Sequence, residues 1–301
     1  MELSFPRYLL SKQSVDERAL NRYVYDALAA RLSARPLRII EVGAGIGTMP
    51  ARLLQHGLLG QAGYVVVDEQ AENIAYALDW FPRWAAENGY QAQPGPGPAS
   101  LRVVAAGVGE RPAAVLDLEF VKADVFDYIR SAPQKADLLI AHAFLDLLPM
   151  PGSLTGLFSL VKPGGLAWLT LNFDGVTTFE PTIDAALDAL IERLYHHSMD
   201  TRPTGGDSRS GRHLFDHLRA VGAQILAAGA SDWVVYPRDG RYPDDEAYFL
   251  NFILHFFESS LTGHPQLDPA ALAGWLAGRR AQIERAELVY IAHQLDFLVQ
   301  L

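Results

Sequence analysis

The chain has 301 residues, 50% hydrophobic and 20% charged, enough to build a full core in one or two domains. Its formal net charge of −10 repels a phosphate backbone, and no run of Lys and Arg offsets this locally, so no nucleic-acid partner is expected. The absence of cysteine excludes disulfides, thiolate metal sites and a Cys nucleophile together.

Met1 to Leu20 intersperses Glu2, Arg7, Lys12, Asp16, Glu17 and Arg18 among its apolar residues. It reads neither as a signal peptide nor as a membrane span, and a cytoplasmic location without membrane contact is expected. From Asp16 to Leu32 the residues Leu20, Tyr23, Val24, Ala27, Leu28 and Leu32 recur at helical spacing, which predicts an amphipathic helix serving as a cap or lid. Leu37 to Val42 is a short apolar run ending in glycines, and an Ala- and Leu-rich helix follows to Gly57. Tyr64 to Val67 predicts a second buried strand closing on Asp68, and Ala71 to Asn88 a helix that Pro82 should kink or restart. The Q-P-G-P-G-P segment, Gln93 to Pro98, predicts an irregular surface loop. Apolar stretches follow at Leu101 to Ala106 and Ala114 to Lys122, with strands at Leu138 to Ala141 and, behind a turn at Val161 to Gly165, at Leu166 to Leu171. Strands alternating with helices in this way argue for a doubly wound α/β fold, parallel units wound on both faces of one sheet.

Beyond Asp174 the pattern changes. Ile183 to Tyr195 predicts a helix, and Thr201 to Gly211 a polar loop in which Gly205 and Gly206 lie among Arg202, Arg209 and Arg212. Leu214 to Val221 predicts a helix and Ala223 to Ala228 a strand. Asp244 to Leu261 carries Phe249, Phe252, Phe256 and Phe257, an aromatic helix face that is more often core than pocket. Asp268 and Pro269 form an N-cap and first-turn pair for a helix through Ile283, and Leu288 to Leu298 suits a strand returning to the sheet.

The segment Glu41-Val42-Gly43-Ala44-Gly45-Ile46-Gly47 lies between predicted strand and helix, where a ligand can meet bare backbone and a helix N-terminus. A dinucleotide fingerprint needs a glycine at position 48, but Thr48 stands there and Gly47 comes one residue early. The resulting G-x-G-x-G with a preceding acid resembles the first motif of the class I S-adenosylmethionine-dependent methyltransferases. Further matches follow in order: Asp68 after Val65-Val66-Val67; Asp124 within Val121-Lys122-Ala123-Asp124-Val125-Phe126; the run Asp137 to Pro149 through His142; and the turn Val161-Lys162-Pro163-Gly164-Gly165-Leu166.

The resemblance implies a Rossmann-like, mostly parallel seven-stranded sheet with an antiparallel late strand and helical lid insertions. Residues 1–36 would form an N-terminal helical cap, and 37–301 a methyltransferase domain with insertions at about 173–211 and 240–287. It implies S-adenosylmethionine as cofactor, S-adenosylhomocysteine as product, and a small-molecule acceptor, partly apolar if the aromatic face meets the cleft. Cofactor contacts fall on Glu41, Gly43, Gly45, Gly47, Asp68, Asp124, Val125 and His142. Asp68 and Asp124 also suit helix capping at strand ends. His142, ending the fourth strand, is the candidate general base, with simple lining of the cofactor pocket as its other role. Asn172, Asp174 and Glu180 are candidate substrate-binding residues after the fifth strand. No metal is expected, since His196 and His197 are adjacent and diverge on a helix. Two other functions stay open: a non-catalytic binding module on the same fold, and a nicotinamide-dependent oxidoreductase, against which the early Gly47 counts.

Overall fold

The computed structural model describes residues 3–32, 36–105, 107, 113–131 and 134–301. Three short helices come first: α1 (Phe5–Ser11), α2 (Gln13–Ala19) and α3 (Arg22–Ala29). The single helix expected over 16–32 is broken at Leu20, whose backbone is extended, and α3 restarts where the Asn21 side chain accepts from Val24 N at 3.1 Å. The chain continues as β1 (Leu37–Val42), α4 (Thr48–Gln55), β2 (Gln61–Asp68), α5 (Ala71–Glu87), β3 (Gln91–Pro94), β4 (Ser100–Ala105), β5 (Ala114–Lys122), α6 (Val125–Ser131) and β6 (Ala136–His142). Ala106 of the expected stretch lies outside the described residues. The second half runs α7 (Gly152–Ser159), β7 (Val161–Glu180), α8 (Ala185–Asp200), α9 (Ser210–Ala220), β8 (Gln224–Ala230), β9 (Trp233–Val235), α10 (Glu246–Leu261), α11 (Pro269–Glu284) and β10 (Val289–Gln300).

One sheet takes all the strands, in the order β3-β4-β5-β2-β1-β6-β7-β10-β8 with β9 paired to β10. The stretch β5-β2-β1-β6-β7 is parallel, and β10 runs antiparallel to β7 and β8, so the doubly wound α/β fold and its reversed late strand are both present. The seven expected strands are supplemented by β3 and β4 at one edge and by the short β9.

Central strands are buried on both faces, which is why they read as continuous apolar runs. On one face Ile39, Tyr64, Ile140 and Trp168 pack with residues of α3, α4 and α5; on the other Ile40, Val65, Leu139 and Leu169 pack with α6, α7 and α9. A third cluster binds α1, α8, α10 and α11 to the distal parts of β7 and β10 through Tyr8, Phe179, Phe257 and Trp275. Phe249, Phe252 and Phe257 are buried in it, the core role expected of that face.

Three local expectations change. Pro82 does not restart the helix: α5 runs from Ala71 through Glu87, with Trp80, Phe81 and Trp84 buried on both sides of it. Gln93 and Pro94, expected in a loop, belong to β3, where an edge position tolerates the missing N–H. The turn at Val161 to Gly165 lies within β7, which passes the expected end at Leu171 and continues to Glu180 because β10 pairs with it to the last residue.

At Leu171 the strand takes φ 54°, and this bend is held by Asp296 of β10. The fully buried Asp296 carboxylate accepts from Leu171 N at 2.7 Å and from Asn21 N at 2.8 Å, joining the start of α3 to the sheet. Asp296→Ala leaves both donors unpaired and is expected to lower the unfolding free energy by roughly 2–4 kcal/mol. Urea denaturation with an unchanged midpoint would contradict this role.

Candidate active site

The chain leaves β1 toward β2 and β5 on one side and returns to β6 on the other, which makes the carboxyl ends of β1 and β6 the switch point of the sheet. A cavity of about 540 Å³ opens there. Gly43, Gly45 and Gly47 all have left-handed backbones, with φ of 61°, 56° and 74°. A Cβ on Gly43 would fall 2.1 Å from the Phe144 ring and collide with it, and one on Gly45 would fall 2.8 Å from Leu9 of α1 and force that side chain to shift. Gly43 and Gly45 line the cavity; Gly47 is off its wall and serves as the left-handed N-cap of α4.

Asp68, at the end of β2, holds this loop in shape. One oxygen accepts from Gly45 N at 2.8 Å, and the other from Gln70 N and Asn73 Nδ2, both at 2.9 Å. A carboxylate offers about four accepting positions, so roughly one remains for a ligand. Burial raises its pKa, against the three hydrogen bonds. Glu69 beside it also lines the cavity, and the buried Asn73 Oδ1 has no donor among the described residues. Asp124 caps α6: its Oδ1 accepts from Phe126 N at 2.8 Å and Asp127 N at 3.1 Å. Its other oxygen carries no hydrogen bond to a described residue, and Asp124, Val125 and Phe126 all face the cavity.

Glu41 lies on the cavity wall but is 2% exposed, and Tyr64 donates to it at 2.8 Å. Burial pushes its pKa up to about 8, against the Tyr64 hydrogen bond and the charges of Arg52 and Lys12. The carboxyl is therefore largely protonated at neutral pH.

His142 reaches the cavity at the end of β6 with both ring nitrogens engaged: Nδ1 lies 2.7 Å from Thr170 Oγ1 and Nε2 lies 3.0 Å from Asp16 Oδ2. Asp16 also accepts from Lys12 Nζ at 3.0 Å and from Trp233 Nε1 at 2.9 Å. Burial works to raise the Asp16 pKa, but the Lys12 ammonium and the His142 hydrogen bond outweigh it and hold the carboxylate well below its usual range. Facing an ionised acid, Nε2 donates, which leaves Nδ1 to accept from the Thr170 hydroxyl. Burial dominates at the ring itself and lowers the His142 pKa to about 4 despite Asp16.

The cavity thus gathers Glu41, Gly43, Gly45, Asp68, Asp124, Val125 and His142. Asn172, Asp174 and Glu180 lie elsewhere: Asn172 donates to Leu169 O and Leu295 O, Asp174 pairs with Arg212, and Glu180 accepts from Thr182. His196 bonds to Thr177. Sequence reasoning missed Leu9, Lys12, Asp16 and Trp233. Lys12 and Asp16 have the i,i+4 spacing of an ordinary solvated ion pair, and nothing in the spacing marks them as buried.

No family model matches the sequence, and no curated protein matches it. Solved structures that align with it include YjhP from Escherichia coli, at 16% identity over 97% of this chain and 98% of that one with a TM-score of 0.47. Another is a SAM-dependent methyltransferase from Thiobacillus denitrificans in complex with S-adenosyl-L-homocysteine, at 13% identity over 99% of both chains with a TM-score of 0.47. A third is the cyclopropane synthase MmaA2 from Mycobacterium tuberculosis, at 10% identity over 99% of this chain and 95% of that one with a TM-score of 0.48. With likenesses this distant, the functional reading rests on the geometry of the site.

The buried pairing of His142 predicts a neutral ring carrying its proton on Nε2 across the range pH 5.5 to 8. Nitrogen chemical shifts of the labelled ring should stay flat over that range, and a titration near pH 6.5 would refute the assignment.

Proposed function

We propose that this chain transfers a methyl group from S-adenosylmethionine to a small-molecule acceptor, leaving S-adenosylhomocysteine. One observation carries the reading: a G-x-G-x-G loop meets acids from the ends of β2 and β5 in a single cavity at the switch point of the sheet. S-adenosylmethionine supplies a methyl group on a sulfonium, already activated for in-line displacement. The chain's task is then alignment and exclusion of water, which fits a site without a strong nucleophile.

Gly43 and Gly45 admit the amino-acid end of the cofactor, beside Glu41 and Lys12. Asp68, through its remaining accepting position, and Glu69 next to it take the ribose hydroxyls. Asp124 and the Val125 backbone hold the adenine edge, with Phe126 against the ring. Leu9 and Phe5 of α1 cover the cavity and keep water out. His142 serves as a neutral positioning group rather than the general base, because its accepting nitrogen is occupied by Thr170. The net charge of −10 favours a free cytoplasmic metabolite over a nucleic acid as acceptor.

Calorimetric titration with S-adenosylhomocysteine tests the reading, and micromolar binding is expected. Its 2′-deoxy analogue should bind about 10- to 150-fold more weakly, the loss of a hydrogen bond to a charged group. Removing the hydroxyl from the ligand is preferable to replacing Asp68, which would also release Gly45. Failure of a folded sample to bind S-adenosylhomocysteine would end the methyltransferase proposal.

Glu41 adds a pH dependence. A cationic ligand beside it favours the ionised carboxylate and lowers its pKa from about 8, so binding releases a proton. Affinity for S-adenosylmethionine should therefore rise with pH from 6 to 8 and level off above. Titrations at pH 7 in two buffers of different ionisation enthalpy should reveal the released proton, and Glu41→Gln should abolish it.

A further inference from the structure

Arg202 and Arg209 of the loop between α8 and α9, and Arg212 in the first turn of α9, have different surroundings. The charge of Arg212 is matched: its Nε and Nη2 donate to the two Asp174 oxygens at 2.8 and 3.0 Å. Arg209 is exposed and does not line the cavity. Arg202 is half-buried on the cavity wall, yet its side chain makes no hydrogen bond or ion pair among the described residues, and its Nη1 is buried without any acceptor. A guanidinium cannot lose its proton to escape this; the Asp146 carboxylate acts on it through space, but no acceptor among the described residues meets Nη1.

The loop holds the group in place. Gly205 packs where a Cβ would fall 2.7 Å from the Pro149 backbone, and a Cβ on Gly206 would fall 2.5 Å from Met199 O. Asp207 N donates to Asp146 O at 3.3 Å, while Ser208 donates through N and Oγ to Asp200 at 2.7 and 3.1 Å. A segment fixed at both ends presents Arg202 to the cavity, against the Asp146 to Pro149 stretch whose Leu147 and Leu148 also line it.

We propose that Arg202 receives a carboxylate of the acceptor, which makes the acceptor a monocarboxylic acid with an apolar body. This rests on the methyl-transfer reading above. The guanidinium fork matches a carboxylate in a bidentate pair. A phosphate dianion fits less well, since Asp146 already acts on Arg202, and Lys12, the other cation among the described residues of the cavity wall, is paired with Asp16. The cofactor also has a carboxylate, but its amino-acid end belongs at the glycine loop, whereas Arg202 stands on the loop packed against Asp146 and Pro149 beyond β6.

The test uses the full chain with octanoate and trans-cinnamate as probes, each against its primary amide, titrated calorimetrically with and without S-adenosylhomocysteine. At least one acid should bind the loaded protein about tenfold or more tightly than its amide. Arg202→Gln should remove that preference, Arg209→Gln should keep it, and both variants should bind S-adenosylhomocysteine as the parent does, which also shows that they fold. A parent protein that does not prefer the acids, or a preference surviving in Arg202→Gln, overturns the proposal. If Arg202→Gln weakens S-adenosylhomocysteine but not 5′-methylthioadenosine, which lacks the amino-acid end, the carboxylate belongs to the cofactor and the proposal fails. Failure of the methyl-transfer reading would look different, as loss of S-adenosylhomocysteine binding by the parent.

Discussion

Three consecutive charges on α2 set the relation between the N-terminal helices and the rest of the molecule. Successive helical residues point about 100° apart, so Asp16, Glu17 and Arg18 face three directions. Asp16 goes inward to Lys12, His142 and Trp233; Glu17 meets Arg52 and His56 of the α4 region at 2.7 Å each; Arg18 reaches the fully buried Glu246 of α10 at 2.6 Å. One short helix is thereby tied to the end of β6, the helix after the glycine loop, and α10. Its position fixes α1, and α1 in turn places Leu9 over Gly45.

Two buried acids near the cavity show how surroundings decide charge. Asp16 and Glu41 are 1% and 2% exposed, yet Asp16 is held ionised and Glu41 largely neutral. Asp16 has a directly bonded ammonium and two N–H donors, while the partner directly bonded to Glu41 is a phenol. Burial raises the cost of charge at both sites, and only at Asp16 do neighbouring cations and donors repay it. Of these two acids, Asp16 is thus a fixed negative charge behind His142, and Glu41 is a carboxyl that can acquire charge when a cation arrives.

Much of the sheet was legible because its central strands, buried on both faces, leave unbroken apolar runs between glycines and acids. The glycine loop was legible for a related reason: left-handed backbone and close packing by Phe144 and Leu9 disfavour other residues at Gly43 and Gly45. The far half of β7 was not, because Phe173 to Glu180 is a strand only through its pairing with β10, more than 100 positions later. Asp16 was hidden by its local pattern, in which a buried anchor and a solvated charge look alike. Arg202 was visible as one of three arginines, but only the folded loop separates it from Arg212, whose charge is already matched.

The position of β10 also orders how the molecule can be made. It lies between β7 and β8 in the sheet although it follows both in the chain, and the ladder of β8 in that sheet is with β10. During synthesis β8 emerges with no strand to join, and it must wait while α10 and α11 are added. The parallel stretch β5-β2-β1-β6-β7 has its partners much earlier. A ribosome-bound chain thus passes through an interval in which half the sheet can be assembled while the edge of β7 stays open to other chains. The final strand closes that edge.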